Sequence, residues 1–268
     1  MTRPRPDSPD TEPAGNLLSL DRAISLLSAI AASADGLRLT DAASATALSP
    51  STAHRILSAL VAHKLLRIPD GTRRYLPGAE LYRLGRSAAR HFSLLDLARP
   101  SLQRLAERTQ DTLSLSVIDG REALCLDRLI GSYPIKTMAL EIGERRPLGV
   151  GAGSLALLAA LPPPERRSLI DDESARIARY PGFTSAALSR WVDDAVRRGY
   201  AYSPERVLQG MSAVGVAIRD SRGHPIGSIS LSGIAQRVRG ERLKEIVELL
   251  QAQCAVVAQA AARLHPGE

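Results

Sequence analysis

Two stretches of this chain alternate with a period of two residues. "TLSLSVIDGREALCLDRL" at 112–129 and "SAVGVAIRDSRGHPIGSISLSG" at 212–233 each break once, at Asp119-Gly120 and at Ser221-Arg222-Gly223. A period of two is a strand signal and a glycine-containing break is a turn signal, so each stretch reads as a β-hairpin. Leu113, Leu115 and Val117 fall on one face of the first. Ser228, Ser230 and Ser232 share a face of the second, either as an exposed polar face or as the lining of a cavity. A third strand is expected over 134–140 and a short one near "GYAYS". Helical periodicity covers residues from 94 to the turn before 112, then 151–161, 163–170, 186–198 and 239–264. Hairpins and helices that do not alternate as βαβ units give an α+β domain on an antiparallel sheet.

The amino-terminal third has a different pattern. Leu20, Ala23, Ile24, Leu27, Ile30 and Ala31 recur at helical spacing behind Ser19, read as an N-cap. Thr40 is read as the cap of a short Ala-rich helix over 41–47. After a tight turn, Ser49 caps a third helix with Pro50 at its first position, where the missing N–H costs no hydrogen bond. Ala53, Ile56, Leu57, Leu60 and Val61 form its apolar face, so Ser51, Arg55 and Ser58 point away from the core, flanked by Thr52 and His54. "LLRIPDGTRRYLP" follows as two short strands around Asp70-Gly71, carrying Arg67, Arg73 and Arg74.

Helix, helix, turn, helix, basic hairpin is the order of a winged helix-turn-helix. Short hydroxyls at a helix start meet phosphates, and one long bidentate donor, Arg55, matches the O6 and N7 of guanine. Charge is distributed accordingly. Of a net +7 over 268 residues, the window 49–92 holds eight Lys and Arg against one Asp and one Glu. A local cationic surplus of this kind selects a polyanionic partner.

Residues 1–16, "MTRPRPDSPDTEPAGN", are expected to be a disordered tail, and no apolar run reaches the length of a membrane span. Cys125 and Cys254, far apart in apolar settings, read as reduced core residues of a cytoplasmic protein. The five histidines show no metal-ligand spacing, and no cofactor is expected. "GVGAGSLALLAAL" has glycines at 149, 151 and 153, the wrong spacing for a dinucleotide loop. It remains a glycine-rich helix start at which a carboxylate meets free backbone N–H groups.

Several motifs together resemble the isocitrate lyase regulator (IclR) family of bacterial transcription regulators, from about residue 17 to 264. They are "SLDRAISLLSAIA", "LSPSTAHRILSALVAHKLLR", "YLPG", "GERRPL" leading into "LALLA", "RRGYAYSPE", "GMSAVGVAIRD" and "HPIGSISLSG". The resemblance implies a winged helix-turn-helix over 17–78, a linker helix over 79–93 used in dimerisation, and an effector domain over 94–266 related to GAF and profilin-like sheets. It implies homodimers or dimers of dimers on double-stranded operator DNA, with Thr40, Ser49, Ser51, Thr52, His54, Arg55, Ser58, Arg73 and Arg74 at the DNA. It also implies a small organic-acid or aromatic effector lined by Ile135, Met138, Ala152, Gly153, Ser203, Ala213, Ser230 and Ser232.

The chain departs from the family pattern at Ser203, where relatives binding small oxo acids can have Asp, at Ala213, where they can have Cys, and at Ser154-Leu155, where many have Gly-Lys. These changes point toward an aromatic or longer acid. Two other readings compete: a metabolic enzyme tethered by a basic domain, which requires a βαβ core and a catalytic dyad, and a small-molecule module acting through protein partners. Neither required feature of the enzyme is found in the sequence, and no catalysis is expected.

Overall fold

The computed structural model describes residues 15–89, 93–136, 140–172 and 174–264. The expected tail over 1–16 falls almost wholly outside these residues, as does Met138. The chain divides into two compact units at residues 91 and 92.

The first unit runs α1 (Gly15–Ala31), β1 (Leu37–Arg38), α2 (Leu39–Ala45), α3 (Pro50–Ala62), β2 (Leu66–Arg67), β3 (Arg74–Pro77) and α4 (Ala79–Ala89). Its core gathers Leu26 and Ile30 of α1, Ala42 and Ala43 of α2, and Ala53, Ile56, Leu57 and Leu60 of α3 over Leu66 and Tyr75. Two alanines on α2 let its backbone approach α1 and α3 closely. Two expected caps are corrected. Ser19 lies inside α1, because Gly15 to Leu18 contain no proline and the helix extends upstream. Thr40 lies inside the first turn of α2, whose N-cap is Arg38 in extended conformation.

Arg38 is extended because β1, absent from the sequence reading, pairs with β3 in the sheet order β1-β3-β2. A two-residue strand has no period to detect. Gly36 makes the pairing possible: its φ is +67° and a Cβ there would sit 2.4 Å from the Tyr75 carbonyl oxygen.

The second unit runs α5 (Ser93–Thr109), β4 (Thr112–Asp119), β5 (Glu122–Leu129), β6 (Arg145–Pro147), α6 (Ala152–Ala160), α7 (Pro163–Asp172), α8 (Ser174–Ile177), α9 (Ser185–Arg198), β7 (Ala201–Pro204), β8 (Met211–Arg219), β9 (Pro225–Ile234) and α10 (Gly240–Leu264). Six strands form one antiparallel sheet in the order β6-β5-β4-β9-β8-β7, so the two hairpins meet where β4 pairs with β9.

The period-two pattern gives this sheet two unlike faces. Leu113, Leu115, Val117, Val214, Val216, Ile229 and Leu231 pack under α5 and α10. Each such buried side chain contributes about 1.5–3 kcal/mol relative to an exposed one. The opposite face carries small and hydroxyl side chains in register. Ser114 pairs with Ser230, which pairs with Gly215, and Thr112 pairs with Ser232, then Ala213, then Ser203. Against this face lies α6, whose nine residues are all buried. A helix apolar all round belongs inside a layered fold, and here it is covered on its far side by α9.

The strand expected over 134–140 is corrected. Its described residues are not strand; Pro134 lacks a donor, and Lys136 Nζ donates to the Gly131 carbonyl, turning the chain back on itself. The third strand of this half is instead β6, formed by "RRP" of the "GERRPL" motif. It lies at the sheet edge, where a proline is tolerated.

Candidate nucleic-acid interface and ligand cleft

The start of α3 is organised by hydroxyls. Ser49 Oγ accepts from the Thr52 amide at 3.3 Å and donates to Thr52 Oγ1 at 2.9 Å, with Ser51 Oγ 3.1 Å away. These contacts occupy the cap, as Pro50 at the first helical position requires. Beyond them Ser51, His54, Arg55 and Ser58 are exposed at positions i, i+3, i+4 and i+7, a single polar stripe opposite the buried Ala53, Ile56, Leu57 and Leu60. Such a stripe is the shape a helix presents to a groove.

The wing places its arginines unequally. Arg67 and Arg73 are exposed, whereas Arg74 is half-buried and donates from Nη1 to the Gly36 carbonyl at 2.8 Å. Arg74 therefore ties β3 to the start of β1. Gly71, at φ +73°, turns the hairpin, which spans more residues than a two-residue loop because β2 and β3 pair only at Leu66–Pro77 and Arg67–Leu76. Thr40 is exposed on α2 with its hydroxyl donating to Asp41 Oδ1 at 3.3 Å.

In the second unit, an open cleft lies between the small-residue face of the sheet and the start of α6. Seven serines line it: Ser114, Ser116, Ser154, Ser203, Ser212, Ser230 and Ser232. Of the expected effector contacts, Ala152, Gly153, Ser203, Ala213, Ser230 and Ser232 line the cleft. Ile135 does not: it is exposed on the turned-back segment, and Leu140 lines the cleft instead. Met138 lies outside the described residues.

Glycines set the depth of the cleft. Gly215 on β8 lets the α6 backbone touch the sheet, since a Cβ there would lie 2.3 Å from the Ala152 carbonyl oxygen. A Cβ on Gly153 would meet Ser230 Oγ at 3.0 Å. Gly151 caps α6 at φ +93°. Ser154 clasps the approach, its hydroxyl donating to the Pro147 carbonyl and accepting from the Gly149 amide, both at 2.9 Å. The first-turn amides of α6 consequently face the cleft without intrahelical acceptors.

The sequence reading missed Ser114, Ser116 and Arg146. The two serines share the alternation that placed Leu113, Leu115 and Val117 inward on the other face, so their position was readable once that face was assigned. Arg146 had no local signal, because the pairing of β6 with β5 that brings it to the cleft is not periodic. The cysteines are buried as expected; burial pushes the Cys125 thiol up to about 11 and that of Cys254 to about 12.

A helix-turn-helix reader and an antiparallel-sheet domain with a ligand cleft of mixed serine and apolar lining, carried on one chain, define a ligand-responsive transcriptional regulator. The model of the bacterial transcriptional regulator IclR C-terminal domain matches residues 86–258, and that of the IclR helix-turn-helix domain matches residues 19–68. The chain belongs to the IclR family of bacterial transcription regulators, with a DNA-binding amino-terminal domain and an effector-binding carboxy-terminal one.

Among its relatives, the HTH-type transcriptional regulator BhcR of Paracoccus denitrificans is 32% identical over 235 residues, 87% of this chain and 83% of the relative. The transcriptional repressor IclR of Escherichia coli is 27% identical over 239 residues, 88% of this chain and 87% of the relative. The crystal structure of Thermotoga maritima IclR superposes with a TM-score of 0.74 at 25% identity, covering 91% of this chain and 98% of that one. An IclR homologue from Microbacterium hydrocarbonoxydans, solved with 4-hydroxybenzoate, gives 0.75 at 24% identity over 90% and 98% of the two chains.

Proposed function

We propose that this regulator reads double-stranded operator DNA through Arg55 and the hydroxyls of α3, and binds a small organic acid or aromatic effector in the serine-lined cleft. Residues 17–78 are the reader, 79–93 the linker helix and 94–266 the effector domain, working as a homodimer or dimer of dimers in the cytoplasm and without catalysis. Ser51, Thr52 and His54 read or position on the major groove beside Arg55, Thr40, Ser49 and Ser58 lie at the DNA with them, and Arg73 and Arg74 of the wing meet phosphate or the adjacent minor groove, Arg74 also tying the wing to the Gly36 carbonyl. The observation that carries the effector reading is the cleft itself: serines from four adjacent strands line it together with the first turn of α6. The bound 4-hydroxybenzoate of the Microbacterium homologue is an aromatic acid of the proposed class.

The test is an electrophoretic shift on the DNA immediately upstream of the coding region, with and without acids. A sequence-specific shift whose midpoint moves with one of the acids is expected. Binding to DNA that no acid alters would leave the reader standing and remove the effector assignment.

A further inference from the structure

Resting on the reading of the cleft as the effector site, we propose that Arg146 is its charge anchor and that the ligand is a ring-bearing monocarboxylate. Its carboxylate sits between Arg146 and the first turn of α6, and its far end lies on the serines of β4 and β9.

Three observations carry this. First, Arg146 lines the cleft with its side chain only 14% exposed, and among the described residues its one hydrogen-bond partner is Glu144, reached by Nε at 2.8 Å. The two terminal nitrogens, the end of the fork that grips a carboxylate, remain for a ligand. Second, Nη1 lies 3.9 Å from where a Cβ on Gly151 would stand, beside the helix N-cap. The first turn of α6 contains no acidic residue, so a guanidinium and the positive end of a helix dipole face one another. Glu144 pairs with the guanidinium through Nε, and the terminal nitrogens together with the start of α6 offer donors to an anion. Third, Ser114, Ser116 and Ser203 are buried residues lining the cleft, and none of their hydroxyls is hydrogen-bonded to another described residue. These hydroxyls open on the cleft and are available to a polar ligand.

The lining sets the character of that partner. Arg146 stands on β6 and Ser230 and Ser232 on β9, with apolar side chains among the residues that line the cleft. A two-carbon acid has no apolar part to cover them. A substituted benzoate has a carboxylate at one end and a hydroxyl at the other, with a ring between them to cover the apolar Val150, Ala123 and Leu140.

Calorimetric titration of the full chain with 4-hydroxybenzoate, its neutral isostere 4-hydroxybenzamide, and glyoxylate tests the assignment. Wild type is expected to bind the acid at least about tenfold more tightly than the amide or glyoxylate. Arg146→Gln is expected to lose about tenfold for the acid and nothing for the amide, and Arg146→Lys to recover part of the loss. Ser114→Ala should weaken acid and amide alike, keeping their ratio, which separates a lost charge contact from a damaged cleft. Arg146→Gln binding the acid as tightly as wild type would overturn the anchor and leave the cleft as the effector site. Tighter binding of glyoxylate would overturn the ligand class, and no binding of any of the three by wild type would overturn both.

Discussion

Arg55 and Arg73 are both exposed arginines of the reader, yet their positions give them different work. Arg55 stands in the middle of the polar stripe of α3, the stripe proposed to meet base edges, whereas Arg73 is on the wing. Replacing Arg55 by Ala should cost about 1–3 kcal/mol on the preferred operator and relax base choice at one position per half-site. Arg73→Ala should weaken all sequences evenly and reduce the slope of log affinity against log salt by about one unit. Footprinting on randomised operators and salt titrations read the two outcomes separately. Arg74→Ala belongs to a different category: it removes the bond to the Gly36 carbonyl, so its effect should appear first as lower thermal stability of the wing.

The two thiols also act at this scale. Each has a folded value, about 11 for Cys125 and about 12 for Cys254, above the ordinary 9.0. Their contribution to stability is complete below pH 9. It declines above that as the unfolded chain releases protons that the folded chain retains, and is lost as pH rises through 11 to 12. Melting temperature should therefore fall between pH 9 and 11, and fall less steeply in Cys254→Ala.

At the scale of elements, the relation of α6 to the sheet decides whether the cleft exists. Gly215 lies against the Ala152 backbone, which has no flexible side chain to yield. Gly215→Ala should lift the start of α6 from β8, costing about 1–3 kcal/mol as overpacking does, and weaken effector binding as the first-turn amides move. Chemical denaturation of the variant measures the first effect and ligand titration the second. Leu115→Ala, on the other face of the same sheet, is the contrasting change: about 2–5 kcal/mol lost from the core under α5 and α10, with the serine row left in place. The pairing of a greasy face with a hydroxyl-bearing one lets a single sheet serve as both core and receptor.

Across the whole molecule, two compact units with separate cores give two separable responses. Effector at one hundred times its dissociation constant should add about 2.7 kcal/mol to the carboxy-terminal unit. Operator DNA should stabilise the amino-terminal unit, where the window 49–92 holds most of the excess positive charge. Scanning calorimetry is expected to show each ligand raising a different transition. A single transition shifted equally by both would mean that the units unfold as one.

What the sequence determined by itself was local. The cap at Ser49-Pro50, the outward stripe of α3, the two hairpins and their turns all follow from interactions between residues a few positions apart, and the periods of 3.6 and 2 record them directly. Six of the eight expected effector contacts also reach the cleft, carried by a resemblance whose motifs are themselves local. Tertiary structure decided the rest. That β4 lies beside β9 depends on pairing between segments more than a hundred residues apart. The use of two residues at Leu37–Arg38 as a strand, and of "RRP" as the sheet edge that carries Arg146 to the cleft, likewise depends on pairing with strands outside the local segment. A backbone ladder accepts almost any side chain on an edge strand, so the choice of partner leaves no period in the sequence; it is made by which apolar faces must be covered at once.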